Sequence, residues 1–260
     1  MNAFAPPRLS LRFLPVWRRH FLVWRKLAIP SILGNLADPM FYMLGFGYGL
    51  GSLMPRIDGA SYLTFLSAGT LCYSTMNSAS FEVLYSGFSR MHVQKTWEAM
   101  LNAPLALDDV LLAELAWGAS KSMLSGLAIL AVIWTLGLEH DWAMSLWTIP
   151  LVLLIGLTFS AMGLVVTALS PSYDFFMYYF TLAITPMVLL CGVFYPMERM
   201  PQLLQVVAMF LPLSHAIALA RPLILGTIPT AIGWHVLNLL LWTGASYWLA
   251  TGFTRRRLLS

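Results

Sequence analysis

FYPMERMPQLLQVVAMFLPLSHAIALAR, residues 194–221, interrupts an otherwise strongly apolar chain with Glu198, Arg199, His215, Arg221 and the prolines Pro196, Pro201 and Pro212. Proline lacks a backbone donor and disfavours helix in the residue before it, so the segment divides into two hydrophobic stretches of about ten residues. A bilayer core about 30 Å thick needs about 20 apolar residues in one helix, whereas runs of about 10–14 are re-entrant or interfacial. The segment therefore predicts a pair of short helices that dip into the outer leaflet and return. Glu198, Arg199, His215 and Arg221 then belong near headgroup depth.

The rest of the chain has the composition of an integral membrane protein. Of 260 residues, 59% are hydrophobic and only 10% charged, and the mean hydropathy is +0.74; a soluble domain carries about one quarter charged residues. Apolar segments fall at 31–53, 62–86, 115–137, 147–169, 176–194 and 232–252, which predicts an all-α bundle of about six spans in a single domain over 1–260. Within it, 1–30 reads as a basic interfacial helix, 31–252 as the span bundle and 253–260 as a basic cytoplasmic tail. Cys72 and Cys191 lie in apolar runs, with neither disulfide nor metal-knuckle spacing.

Lys and Arg near span ends stay on the cytoplasmic side. With both termini cytoplasmic, the inner side collects Arg8, Arg12, Arg18, Arg19, Arg25, Lys26, Arg90, Lys95, Lys121 and Arg255 to Arg257, leaving only Arg56, Arg199 and Arg221 outside. The basic residues flank spans and form no separate face, so nucleic-acid binding has no support. Phe13, Trp17, Phe21, Trp24 and Ala28 recur at helical steps among basic residues, the pattern of a helix lying in the interface plane. A basic tail that only sets topology fits the same residues. In the first span, Gly47 and Gly51 form a small-residue face for a neighbouring helix rather than a potassium filter. Asp38, before Pro39, is either a helix cap or a buried proton-relay acid.

Residues 87–114, GFSRMHVQKTWEAMLNAPLALDDVLLAE, are too charged for lipid and too apolar for a free linker. Helical spacing puts Met91, Lys95 and Glu98 on one side and Val93, Trp97 and Met100 on another, with Asp108 and Asp109 capping the next helix. A short amphipathic helix here would grip a soluble partner; a plain connecting loop is the alternative. No P-loop occurs, GASKS at 118–122 lacking the glycine before Lys121, and neither HExxH nor GxSxG is present. Glu82 stands deep in apolar sequence, as an acid satisfied by a neighbouring Ser, Tyr or water, or as a transport-coupling group.

Ile184, Met187, Leu190, Cys191 and Val193, then Met200-Pro201, then Pro212-Leu213-Ser214-His215 and Arg221 resemble, at every spacing, the signature of ABC-2 type membrane subunits, the permease halves of ABC exporters. MHVQKTWEAMLNAPLALDDVLLAELAWGASK (91–121), VVTALSPSYDFF (165–176) and LPLSHAIALARPLILG (211–226) are similar to the nodulation J branch of that family, permeases for lipo-oligosaccharide export. The resemblance implies an interfacial elbow helix, a cytoplasmic coupling helix and an outer re-entrant pair between spans five and six. It implies a homodimer in the bacterial inner membrane, working with two copies of a nodulation I type ATPase that binds ATP and Mg, while this chain holds no cofactor and no ATPase site.

On that footing Arg90, Met91, His92, Lys95, Trp97 and Glu98 form the ATPase-coupling segment. Gly192, Phe194, Tyr195 and Pro196, with Pro201, Pro212, His215 and Arg221, form the outer gate and re-entrant motif. Tyr173, Phe175, Phe176, Tyr178 and Tyr179 either line an inner entrance and stack on sugar faces of an amphiphilic glycan, or form an interfacial aromatic belt. The competing expectations are a proton-driven secondary transporter or flippase working through Asp38 or Glu82, and a membrane enzyme modifying lipid or glycan.

Overall fold

The computed structural model describes residues 3–53, 56–57 and 59–259, the side chains of Asp38 and Leu259 excepted. The proton-relay reading of Asp38 and the last residue of the expected tail, Ser260, lie outside the described residues. Almost everything described is helix. α1 (Phe13–Trp24) runs through a 3-10 turn at Arg25–Leu27 into α2 (Ala28–Gly49). α3 (Tyr62–Phe81) extends through π-turns at Glu82–Gly87 and Ser89–Val93 toward α4 (Thr96–Leu101). α5 (Leu107–Thr135), α6 (Trp142–Ser145) and α7 (Thr148–Leu169) follow. α8 (Phe175–Tyr179) joins α9 (Thr185–Leu190) by a π-turn, and α10 (Gln202–Phe210), α11 (Pro212–Ile224) and α12 (Ile232–Leu259) complete the chain. Arg56–Ile57 and Ala60–Ser61 pair as a two-residue antiparallel ribbon leading into α3.

α7 is the hub of the bundle, packed on α3, α5, α11 and α12. Small residues set the approach: Gly156 meets the Ala119 backbone, and Gly163 meets Val83 and the Ser80 backbone. The expected face of Gly47 and Gly51 does pack on a neighbour, against Leu63 and Tyr62 at the start of α3. Serines and threonines make α3 less apolar than its neighbours, but they are buried and bonded within the bundle: Ser67 donates to Thr64 O at 2.7 Å, Thr75 to Leu71 O at 2.9 Å, and Ser74 meets Ser125 at 3.1 Å.

Among the described residues, three helical runs, Phe13–Ser52, Leu107–Thr135 and Trp142–Leu169, are long and apolar enough to cross a membrane. α10 and α11 make a fourth such run or a re-entrant loop, because they meet at 91°. The corner lies at Leu211, extended at φ −84° and ψ 134°, since Pro212 pushes the residue before it out of helix. Leu211 N–H and Ser214 Oγ both donate to Ala208 O, at 3.0 and 2.6 Å, and close the bend.

Four expectations change. The segment at 176–194 is helical only over Phe175–Leu190, a run of about 24 Å that falls short of the bilayer core. It ends where Gly192 takes φ +81°, open to glycine at little cost. His215 and Arg221 are packed between helices rather than offered at an interface: α11 lies against α3, α7 and α12, leaving His215 5% exposed. The basic residues after 252 form no separate tail, because α12 stays helical through them to Leu259. Finally, Asp108 and Asp109 sit inside the first turn of α5 rather than at its cap, which is Ala106; the Asp109 carboxylate reaches back to accept from Ala106 N–H at 2.9 Å.

Candidate functional site

The segment expected to couple to an ATPase is built differently from the single amphipathic helix expected. The π-turn at Ser89–Val93 prolongs α3, and Lys95 then adopts φ +51°, a left-handed conformation that breaks the helix before α4 starts. Met91, Lys95 and Glu98 therefore do not share one helical side. Met91 and Trp97 are buried, whereas Val93, Gln94, Lys95 and Glu98 are exposed. His92 lies tilted against Phe88 with ring centroids 4.5 Å apart; burial, then the nearby Arg257, holds its imidazole below the ordinary pKa, with Glu98 opposing.

Arg90 does not face solvent. Its side chain is 12% exposed and lies between two buried carboxylates. Nε donates to Glu114 Oε1 at 2.8 Å and Nη2 to Glu114 Oε2 at 2.5 Å and Glu82 Oε1 at 3.1 Å. Glu82 also accepts from Trp117 Nε1 at 2.9 Å, Lys121 Nζ at 2.7 Å and Ser86 Oγ at 3.0 Å. Glu114 takes Trp97 Nε1 at 2.9 Å and has His20 Nε2 3.3 Å away. Burial by itself would lower the Arg90 pKa, but Glu114 and Glu82 outweigh it and raise it. A buried charge costs several kcal/mol unless paired and fully hydrogen-bonded, and removing one partner of such a pair costs about 3–5 kcal/mol. The cluster thus ties α1, the end of α3, α4 and α5 at one point.

Of the partners expected for Glu82, Ser86 is present; the cations and Trp117 were missed. A spacing signal for them exists. Glu82, Ser86 and Arg90 repeat at four-residue steps, and Glu114, Trp117 and Lys121 at steps of three and four, so each set occupies one helical stripe.

A second tie lies at the same end of the bundle. Arg255, near the end of α12, donates from Nε and Nη2 to the two Asp108 oxygens at 3.1 and 2.6 Å. Arg8 N–H adds a bond to Asp108 at 2.8 Å and Ser10 Oγ one to Asp109 at 2.5 Å. Arg255 Nη1 also donates to Ala3 O and Ala5 O, at 3.2 and 2.6 Å. Residues before α1 thus strap the start of α5 to the end of α12. Arg257 donates to Ala168 O at 2.8 Å and Ser170 O at 2.7 Å, satisfying carbonyls left over at the end of α7.

The expected aromatics do not share one face. Phe176 is fully buried against Tyr85 and Phe88, while Phe175 and Tyr178, one turn apart, are exposed. Tyr179 packs into the bundle. Tyr173 alone of the five borders the cavity beside the Glu82 cluster, its ring nearly parallel to Tyr85 (6.1 Å, 13°).

The residues expected at an outer gate converge more closely. Arg221 Nη2 donates to Gly192 O, and its guanidinium lies 3.7 Å over the Phe65 ring. Tyr62 OH donates to Phe194 O at 2.9 Å, and the Phe194 ring meets Phe46 edge-on at 5.4 Å. Pro196 is buried, Tyr195 half-buried and Pro201 exposed ahead of α10. His215 Nδ1 lies 2.8 Å from His235 Nδ1 on α12.

The family model described as ABC-2 type transporter matches residues 12–225. Nodulation protein J of Rhizobium leguminosarum bv. viciae is 45% identical over 259 residues, covering 100% of both chains. Nodulation protein J of Rhizobium meliloti (strain 1021) is 43% identical over 255 residues, covering 98% of this chain and 97% of that one. The inner membrane transport permease YadH of Escherichia coli (strain K12) is 22% identical over 205 residues, 78% of each. The chain therefore belongs to the ABC-2 type transporter family as a homologue of the nodulation J proteins, a membrane subunit of an ABC transporter.

Proposed function

We propose that this chain is the permease of an ATP-driven exporter in the bacterial inner membrane, moving an amphiphile of lipo-oligosaccharide or related glycolipid type outward. Two copies work with two nodulation I type ATPase subunits, which bind ATP and Mg. The proposed six spans are α2, α3, α5, α7, α12 and the short α8–α9 run, whose crossing is completed by the non-helical, mostly buried residues 191–196, with α10 and α11 entering from the outside and returning. Both termini are cytoplasmic, since the Lys and Arg residues gather at that end.

The observation that carries the reading is the double grip of Arg90 on Glu82 and Glu114, which fixes the segment bearing Lys95 and Glu98 to two long helices. Force applied by a partner at the exposed turn is delivered to α3 and α5 together. Reversing a two-state equilibrium from 1:99 to 99:1 takes about 5.5 kcal/mol of differential binding, within reach of a nucleotide-driven partner. Glu82, engaged by two cations, an indole and a hydroxyl, fits an anchor better than a proton carrier. The test is export of a labelled lipo-oligosaccharide into proteoliposomes holding this chain and its ATPase. Transport that requires ATP and stops with a hydrolysis-dead ATPase supports the reading; transport by this chain alone on a proton gradient refutes it.

A further inference from the structure

Beside the Glu82 cluster, a cavity of about 550 Å³ opens between α1, the start of α2, the π-turn after α3, and α5. Its chemistry is unbalanced. Arg19, Arg90 and Lys121 line it, and among the described lining residues Glu82 is the single carboxylate. Both Glu82 oxygens already accept two donors each. Arg90 is itself held by Glu82 and Glu114, so what the wall offers is the exposed Arg19 guanidinium and the part of the Lys121 ammonium not taken by Glu82. Lys121 is only 16% exposed, so an anion held there meets it partly desolvated, where charge-assisted bonds are strongest.

Four tryptophan and tyrosine rings line it as well. Trp24 and Trp117 meet edge-on at 5.9 Å, and Tyr85 and Tyr173 lie nearly parallel. The rim is apolar. Leu27, 65% exposed, borders the cavity, and the half-exposed Phe81 stacks on Tyr85 at 4.3 Å.

The geometry points to a binding site for the anionic headgroup of an amphiphile, with phosphate, sulfate or carboxylate on Arg19 and Lys121 and the chain leaving past Leu27. This rests on the export reading for its place in transport, as the position where an amphiphile is taken up, but binding requires neither ATPase nor transport. A failed transport assay therefore leaves the site standing, and a failed binding assay leaves export standing.

The test uses the full chain in phosphatidylcholine nanodiscs, with binding read by native mass spectrometry. Lysophosphatidic acid is the probe, monoacylglycerol of the same chain length the uncharged control, and inorganic phosphate the competitor. The expected result is at least about tenfold tighter binding of lysophosphatidic acid than of monoacylglycerol, weakened about tenfold by Lys121→Gln and by Arg19→Gln and restored by Lys121→Arg. Displacement by phosphate would show that the anion suffices, whatever its source; persistence of binding would show that an attached chain is needed. Arg19→Gln, on an exposed side chain, keeps the test open if Lys121→Gln does not fold. Equal affinity for the two amphiphiles, or unchanged binding in Arg19→Gln and Lys121→Gln, overturns the site.

Discussion

Arg90 and Glu114 share two hydrogen bonds, Nε to Oε1 at 2.8 Å and Nη2 to Oε2 at 2.5 Å, across 24 positions of sequence. The pair joins the turn that leads into α4 to a long helix of the bundle, and both side chains are buried apart from a sliver of Arg90. A planar fork on a carboxylate fixes orientation as well as distance, which a lysine does not do.

Glu114→Gln should therefore destabilise the chain by about 3–5 kcal/mol, because it leaves Arg90 and the Trp97 N–H with a neutral partner in a buried place. Thermal unfolding in detergent checks this, with Arg90→Lys expected to lose less than Arg90→Ala. An unfolding midpoint of Glu114→Gln equal to that of the unaltered chain would show that the cluster is not a structural tie.

The tie between Arg255 and Asp108 predicts a local effect. Asp108→Asn weakens both bonds to Arg255 and the bond from Arg8 N–H, so residues 3–12 should loosen from α5 and α12. Limited proteolysis near the N-terminus should quicken by about tenfold, matching a loss of about 1.4 kcal/mol in the closed state. The bundle should stay folded.

Lys95 and Glu98 are the charged residues of the proposed coupling segment that are exposed. Exchanging them, Lys95→Glu with Glu98→Lys, should change stability by less than about 0.5 kcal/mol, yet reduce co-purification of the ATPase. Reversal of Arg90 would not make this test cleanly, since a carboxylate placed between Glu82 and Glu114 disrupts the fold itself.

At the opposite end of the bundle, Gly69 lies against the Val193 backbone, and a Cβ there would come within 2.6 Å of Val193 O and 2.9 Å of Val193 Cα. Backbone cannot yield as a side-chain tip does, so Gly69→Ala should cost about 1–3 kcal/mol and displace the turn carrying Gly192 and Phe194. Loss of the Tyr62 to Phe194 bond makes this visible: Tyr62→Phe should lower stability by about 1 kcal/mol in the unaltered chain and by less in Gly69→Ala, read as a double-mutant cycle.

Much of this architecture is legible in the residues because local rules act alone there. Pro212 pushes Leu211 out of helix, and the turn from α10 into α11 was foreseeable from it, although Pro39 and Pro222 stand inside helices. Gly47 and Gly51 likewise announce a face that packs. The coupling segment was misread because Lys95 takes a left-handed conformation that no local pattern advertises, and because the π-turns after Phe81 alter which side chains share a stripe. Arg255 was read as tail because its partner, Asp108, lies 147 positions away; periodicity carries no record of such a pairing. The aromatics after Ser172 were grouped by proximity in sequence, whereas one helical turn sends Phe176 inward and Phe175 and Tyr178 outward.

The most direct measure of the central claim is the number of ATP molecules hydrolysed per amphiphile exported, in proteoliposomes holding the assembled complex. With Arg90→Lys, which keeps the charge but not the planar fork on Glu114, hydrolysis should continue while export falls, raising that ratio by about tenfold or more, as expected when a link worth at least about 1.4 kcal/mol is lost. A ratio identical to that of the unaltered complex would contradict the role assigned to Arg90.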